Sequence, residues 1–164
     1  MEDKSGMPKG KSEKQPARAG AVGKRMARGS RTRFVERSPV AALIGYELVS
    51  SGDGRSLMVL EASERLANPM GTLHGGVLCD IADEAMGWAL MSTLEEGESF
   101  TTLELKINYL RPVWDAKLSA RGRVVNRSRR VALVECEVRD EQERLIARAT
   151  STCMVLRGED AKGR

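Results

Sequence analysis

Residues 75–90 carry one long helical pattern that is apolar around most of its circumference. Val77, Ile81, Ala85 and Trp88 recur at near-helical spacing, and Ala82, Met86 and Ala89 widen the stripe. A helix with so wide an apolar arc must be covered on several sides. Its sequence neighbours are strand-like. Ahead of it, after a short helix expected to start at Ser38-Pro39, residues 45–49 read as a strand and residues 51–54 as a turn. Residues 56–62 then alternate, with Leu57, Val59 and Glu61 on one side and Met58, Leu60 and Ala62 on the other. Residues 63–74 read as loop, and 93–99 as an acidic loop behind the helix. Four more strand-like segments follow, over 100–110, 117–127, 131–140 and 145–156. The first sets Leu103, Leu105, Ile107 and Tyr109 on one face and ends before Pro112. This order predicts an α+β fold: a curved, largely antiparallel sheet of five to six strands wrapped around one long central helix.

A chain of 164 residues, 41% hydrophobic, can support one domain with its own core. That domain is expected over residues 37–157, between a tail at 1–36 and a polar tail at 158–164. No run approaches 18 apolar residues, so no membrane-spanning helix is expected. The opening residues lack the apolar segment of a secretory signal, and a cytoplasmic location is expected. The net charge of +4 is unevenly spread: residues 1–34 hold ten Lys/Arg against three Asp/Glu, which leaves 17 basic and 20 acidic residues elsewhere. The tail, rich in Gly, Lys, Arg and Ser, is expected to be disordered. It reads as a solubilising extension or as a docking arm for nucleic acid, ribosome or an anionic surface. Aromatic residues do not interleave its charges, so base stacking has no support there. Cys79, Cys136 and Cys153 sit in apolar stretches without a CxxC pair and are expected as buried, reduced thiols. One His and three scattered Cys lack zinc-ligand spacing, so no metal is expected.

Reactive groups concentrate at the start of the long helix. Asn68-Pro-Met-Gly-Thr-Leu-His74-Gly75-Gly76 leads into it, and Asp83 follows nine residues after the His. A helix N-terminus leaves backbone N–H groups unpaired and carries positive potential. Glycines there let a substrate oxygen approach the backbone, which suits polarising an acyl carbonyl and holding an oxyanion. The alternative for Gly75 and Gly76 is a tight turn into the helix. Asp83 lies eight residues beyond Gly75, roughly 12 Å along one helix. One acyl carbon cannot sit within about 3 Å of both. If both act, they come from different subunits, which implies a dimer with two composite sites across a two-fold axis. Asp80, Asp83, Glu84 and Gly87 share one helix face. Asp80 and Glu84 read as a solvated surface. Asp83, among mostly apolar neighbours, reads as a general base whose pKa burial would raise.

Asn-Pro-x-Gly-x-x-His-Gly-Gly, an Asp nine residues after the His, and a strand ending Ile107-Asn-Tyr-Leu-Arg-Pro112 together resemble the hotdog-fold acyl-CoA thioesterases of the phenylacetyl-CoA (PaaI-type) group. The resemblance spans roughly residues 40–156. It implies a hotdog fold and hydrolysis of an acyl-CoA to a carboxylate and free coenzyme A, with no cofactor beyond the coenzyme A of the substrate. It also implies homodimers that pair into tetramers. By position, Gly75 N–H would bind the thioester oxygen, and Asp83 of the facing subunit would act as general base or as nucleophile. Asn68 would help position the water or the carbonyl, and His74 would order the loop. Thr102 would orient the water, with Thr101 as the alternative.

Two departures from related patterns stand out. The position thirteen residues after the His, which carries a hydroxyl in another hotdog group, is Gly87. Ser128 stands where a Gly is common. Arg129 and Arg130 beside it suit coenzyme A phosphates or form an exposed basic turn. Met70 and Met86, with Gly76, Leu73, Leu90 and Met91, line an apolar acyl pocket or belong to the core. Hotdog hydratase and dehydratase patterns fail, because the residues that would carry their acids are Pro69 and Trp88. A non-catalytic acyl-CoA-binding protein is the main alternative. Aromatic or medium-chain acyl groups, and coenzyme A or an acyl carrier protein, all stay open.

Overall fold

The computed structural model describes residues 38–162, so the expectation for the basic tail lies outside the described residues. Helix α1 (Pro39–Ile44) starts as its sequence dictates. Ser38 caps it by accepting the Ala41 N–H, proline opens it, and Gly45 at φ 92° closes it. There follow β1 (Glu47–Gly52), β2 (Arg55–Ala62), a 3-10 turn (Glu64–Leu66) and the central helix α2 (Gly75–Met91). After α2 come β3 (Glu98–Tyr109), β4 (Ala116–Arg127), β5 (Val131–Arg139) and β6 (Leu145–Arg157). The six strands form one antiparallel sheet in the order β1-β2-β4-β5-β6-β3, so β1 and β3 are its edges.

Several boundaries differ from the sequence reading. β1 starts two residues later and runs through Gly52, so the turn shrinks to Asp53-Gly54, both at positive φ. A two-residue turn of that kind matches the twist of the strands it joins. β3 begins at Glu98, inside the expected acidic loop, and residues 158–161 of the expected polar tail form a 3-10 turn.

The sheet faces α2 with small and branched side chains. Met58, Leu60 and Ala62 of β2 are buried, as their alternation requires, and Val134, Cys136 and Val138 of β5 continue the layer. From α2, Ile81, Ala82, Ala85 and Ala89 are fully buried. The alanines let the helix lie close. At Gly122 of β4 the fit is closest, since a Cβ there would stand 2.3 Å from the Ala85 carbonyl oxygen. Ser56, paired with Gly122 across β2 and β4, donates its hydroxyl to that same carbonyl. At the other end of α2, Ser51 Oγ, Ser92 Oγ and Thr93 Oγ1 donate to the carbonyls of Trp88, Ala89 and Leu90, at 2.9, 2.7 and 2.8 Å. These carbonyls lie in the last turn, where the internal ladder runs out, and those of Trp88 and Leu90 also accept the Ser92 and Thr93 N–H groups.

β3 departs from simple alternation. Its pairing with β6 shifts register between Thr102 and Glu104, which makes Leu103 the extra residue of a β-bulge. Phe100 and Thr102 pair with Val155 and Cys153 before the bulge; Leu105, Ile107 and Tyr109 pair with Ser151, Ala149 and Ala147 after it. The β6 partners are all buried, so both halves of β3 present these residues to the helix side. The expected face of Leu103, Leu105, Ile107 and Tyr109 is corrected in one position: Leu103 is 55% exposed and does not belong to it.

Gly122→Ala would push a methyl into the Ala85 carbonyl. A destabilisation of about 1–3 kcal/mol is expected by urea denaturation. Gly52→Ala, where nothing lies within 4 Å of the added carbon, should leave the midpoint unchanged.

Candidate active site

The loop ahead of α2 is held by its own polar groups. Asn68 Oδ1 accepts the Met70 N–H and Asn68 Nδ2 donates to Thr72 Oγ1, both at 2.9 Å. Asn68 N–H donates to the Thr72 carbonyl at 2.7 Å. The Asn68 side chain is thus engaged within residues 68–72. The loop ends are pinned as well: Leu73 N–H donates to the Val113 carbonyl at 2.7 Å and His74 N–H to the Leu66 carbonyl at 2.9 Å. This delivers His74 as the N-cap of α2, where its Nδ1 accepts the Gly76 N–H at 2.9 Å. The bond needs an unprotonated Nδ1. It also needs glycine at 76, because a Cβ there would lie 2.9 Å from Nδ1. Tyr109 Oη donates to the Gly75 carbonyl at 3.0 Å from the end of β3. The Gly75 N–H, first of the helix, meets no acceptor among the described residues.

Two turns further along α2 lies Asp83, half-buried, with Thr102 Oγ1 donating to its Oδ1 at 3.2 Å. Thr102, and not Thr101, makes this contact; Thr101 lies on the opposite face of β3. Burial pushes the Asp83 carboxyl above the ordinary aspartate range, the Thr102 bond pulls it down, and the nearby Asp80 charge adds to the rise. Gly87 has a packing reason. A Cβ there would meet the Phe100 ring at 3.2 Å, so the hydroxyl that reaches Asp83 comes from β3 rather than from the next helix turn.

The reading of Asp80 and Glu84 as a solvated surface is corrected. Both are half-buried, and burial, as the largest cause, raises both carboxyls above their ordinary values. Tyr46, only 3% exposed, stands beside them, and its hydroxyl pKa is raised by burial and then by the charges of Glu84 and Asp80. The Tyr46 hydroxyl faces Asp80, whose carboxyl it pulls back down in part.

With this geometry established, likeness to known proteins decides the family. Residues 70–147 match the thioesterase superfamily. The crystal structure of a Haemophilus influenzae thioesterase is 26% identical, with a TM-score of 0.75 over 82% of this chain and 93% of that one. A Ralstonia eutropha JMP134 structure, of a candidate thioesterase related to phenylacetic acid degradation, is 30% identical with a TM-score of 0.67. It covers 74% of this chain and 96% of its own. A 1,4-dihydroxy-2-naphthoyl-CoA hydrolase of Listeria monocytogenes is 29% identical over 112 residues, 68% of this chain and 91% of that protein. The chain belongs to the thioesterase superfamily. Its sheet wrapped on one long helix is the hotdog fold, and its enzyme class is thioester hydrolysis.

The remaining residues expected at a thioesterase site fall in three places. Met86 is 1% exposed and lies in the core with Leu73 and Leu90, so the structure does not put it on a wall that a ligand reaches within one subunit. Met70, 82% exposed, sits on the loop ahead of α2. Arg129 and Arg130 are exposed at the β4–β5 turn, along a groove of about 750 Å³ that Thr101, Arg157 and Lys162 also line. Cys136 and Cys153 are buried and Cys79 is half-buried, all with free thiols. Among the described residues no group of His, Cys, Asp or Glu is placed to hold a metal ion, and no helix is long and apolar enough to cross a membrane. Sequence reasoning missed two contacts. Tyr109 was legible only as part of Asn-Tyr-Leu-Arg-Pro, and nothing local linked Tyr46 to α2.

A raised carboxyl pKa contributes stability fully below the unfolded value, and that contribution is lost as pH rises through the folded one. Asp80→Asn removes the cost of holding a half-buried charge. Its thermal midpoint is expected to exceed wild type at pH 8, with the gain shrinking at pH 4. Calorimetry at the two pH values checks this.

Proposed function

We propose that this protein hydrolyses an aromatic or medium-chain acyl-CoA to the free carboxylic acid and coenzyme A. One observation carries the reading: a half-buried carboxyl, Asp83, is hydrogen-bonded to Thr102 on the helix that begins with the free Gly75 N–H. A hydroxyl beside a carboxylate suits holding a water molecule, so general-base action by Asp83 is preferred over direct attack. Asp83 takes a proton from that water as its oxygen adds to the thioester carbonyl. The oxyanion is met by the Gly75 N–H of the other subunit, where helix potential and a fixed donor favour negative charge. Collapse breaks the C–S bond, and the departing thiolate recovers the proton from Asp83. His74 holds the helix entrance in shape. Asn68 acts through the loop, not on the water.

The eight-residue separation of donor and acid supports a dimer with composite sites. Exposed Leu103, Tyr109, Leu110 and Trp114 on and after the edge strand β3 offer a surface for pairing, and two dimers are proposed to make a tetramer. Arg129 and Arg130 are assigned to the coenzyme A phosphates. The aromatic substrate class is supported by the naphthoyl-CoA hydrolase and the phenylacetic acid-related relative. Coenzyme A enters as part of the substrate and no separate cofactor is invoked. The proposed setting is the cytoplasm.

The test is thiol release from phenylacetyl-, benzoyl-, octanoyl- and palmitoyl-CoA. Asp83→Asn should lower the rate on the preferred substrate by roughly 10²–10⁴-fold. Wild-type turnover by that variant would falsify the assignment, and tight acyl-CoA binding without any turnover would favour the non-catalytic alternative. Because the base must be unprotonated, kcat/KM should rise with pH through a pKa above that of an ordinary aspartate. A profile flat from pH 4 to 8 contradicts the role.

A further inference from the structure

The carbonyl of Gly75 and the N–H of Gly76 belong to one planar peptide group. Both ends of that group are held from outside the helix. Tyr109 Oη donates to the carbonyl at 3.0 Å, and His74 Nδ1 accepts the N–H at 2.9 Å. The Tyr109 ring lies flush on the same backbone, since a Cβ on Gly75 would meet its Cζ at 3.1 Å. Glycine flanks the peptide on both sides, and no residue leaves a backbone freer to rotate. It is also the first peptide of the helix, where internal hydrogen bonds give least support. We propose that Tyr109 is a positioning residue of the thioester site: with His74 it locks the Gly75–Gly76 peptide, so that the adjacent Gly75 N–H points in one direction. This role rests on the hydrolytic reading of Gly75 and Asp83.

Tyr109 does not touch the reacting atoms in this role. It acts through the backbone it holds. A donor that is already aligned needs no reorganisation when charge forms on the carbonyl oxygen, which is where oxyanion stabilisation draws its strength. An unlocked peptide still offers its N–H, but in a spread of directions. Substrate binding is then spared and the chemical step suffers. The same strand holds the acid as well, through Thr102. β3 therefore braces both functional groups of α2, one from within the strand and one from its end.

The test uses Tyr109→Phe, which keeps the ring and removes only the hydroxyl. On the fastest thioester of the four named above, kcat is expected to fall about three- to tenfold, the size of one lost hydrogen bond. KM should stay within about twofold and the thermal midpoint should hold, a split that a purely structural role does not give. His74→Ala with Tyr109→Phe should cost less than the product of the single effects, because both residues hold one peptide. Wild-type kcat in Tyr109→Phe, or fully multiplicative losses in the double variant, overturns the lock. Asp83→Asn is run in parallel. Its inactivity beside an unimpaired Tyr109→Phe rejects the lock alone, whereas an active Asp83→Asn rejects the hydrolytic reading and the lock with it.

Discussion

The backbone of α2 comes almost to contact distance with β4, and every other placement follows from that approach. Ala82, Ala85 and Ala89 give the helix a thin side, and Gly122 gives the strand a bare one. Ser56 then puts its hydroxyl on the Ala85 carbonyl, which fixes how far the helix slides along the sheet. Once depth and axial position are set, rotation has no freedom left. Asp83 must turn toward β3 and Asp80 and Glu84 toward Tyr46, while Gly75 must end beneath Tyr109. A core of larger side chains would bury more area per residue, but it would hold the helix further off and less uniquely.

This close fit has an electrostatic side. Three carboxyls on one helix face lie in half-buried surroundings where each resists ionisation; the Asp80 charge adds to the rise of Asp83 and Glu84, and the Asp83 charge to that of Glu84. Such a cluster works against stability near neutral pH. It also raises the carboxyl of Asp83, the direction that the proposed general-base role asks for. The helix serves two roles in the proposed chemistry. Its first N–H meets one substrate and its eighth residue beyond meets another, so a two-fold pairing duplicates the site without any further functional residues.

Much of this was written locally in the chain. The wide apolar stripe announced a wrapped helix, and the alternation along β2 separated its two sides, of which Met58, Leu60 and Ala62 form the buried one. The glycine pair does open the long helix, and Asp83 does lie two turns along it. What escaped the sequence depends on distance along the chain or on a single residue of register. Met86 lies within an apolar arc so wide that periodicity cannot tell its inner from its outer members, and it turned out to be core. Tyr46 reaches Asp80 across more than thirty positions, so no local pattern could show that the acidic stripe was covered. Asn68 has a side chain that fits both a substrate and a loop. Only coordinates show that the loop already engages it.

The bulge at Leu103 has a consequence for how this protein can vary. Thr102 and Tyr109 are seven positions apart, an odd number, and on a regular strand they would point to opposite sides. One inserted residue restores their agreement, and both hydroxyls meet α2. Side chains between them can be exchanged without disturbing that agreement. Their number is tied to the bulge: loss of the extra residue together with the bulge leaves six positions, an even number, and keeps the agreement, whereas a change in number that leaves the bulge in place sends one hydroxyl out into solvent. In this segment the residue count and the bulge can therefore change only together.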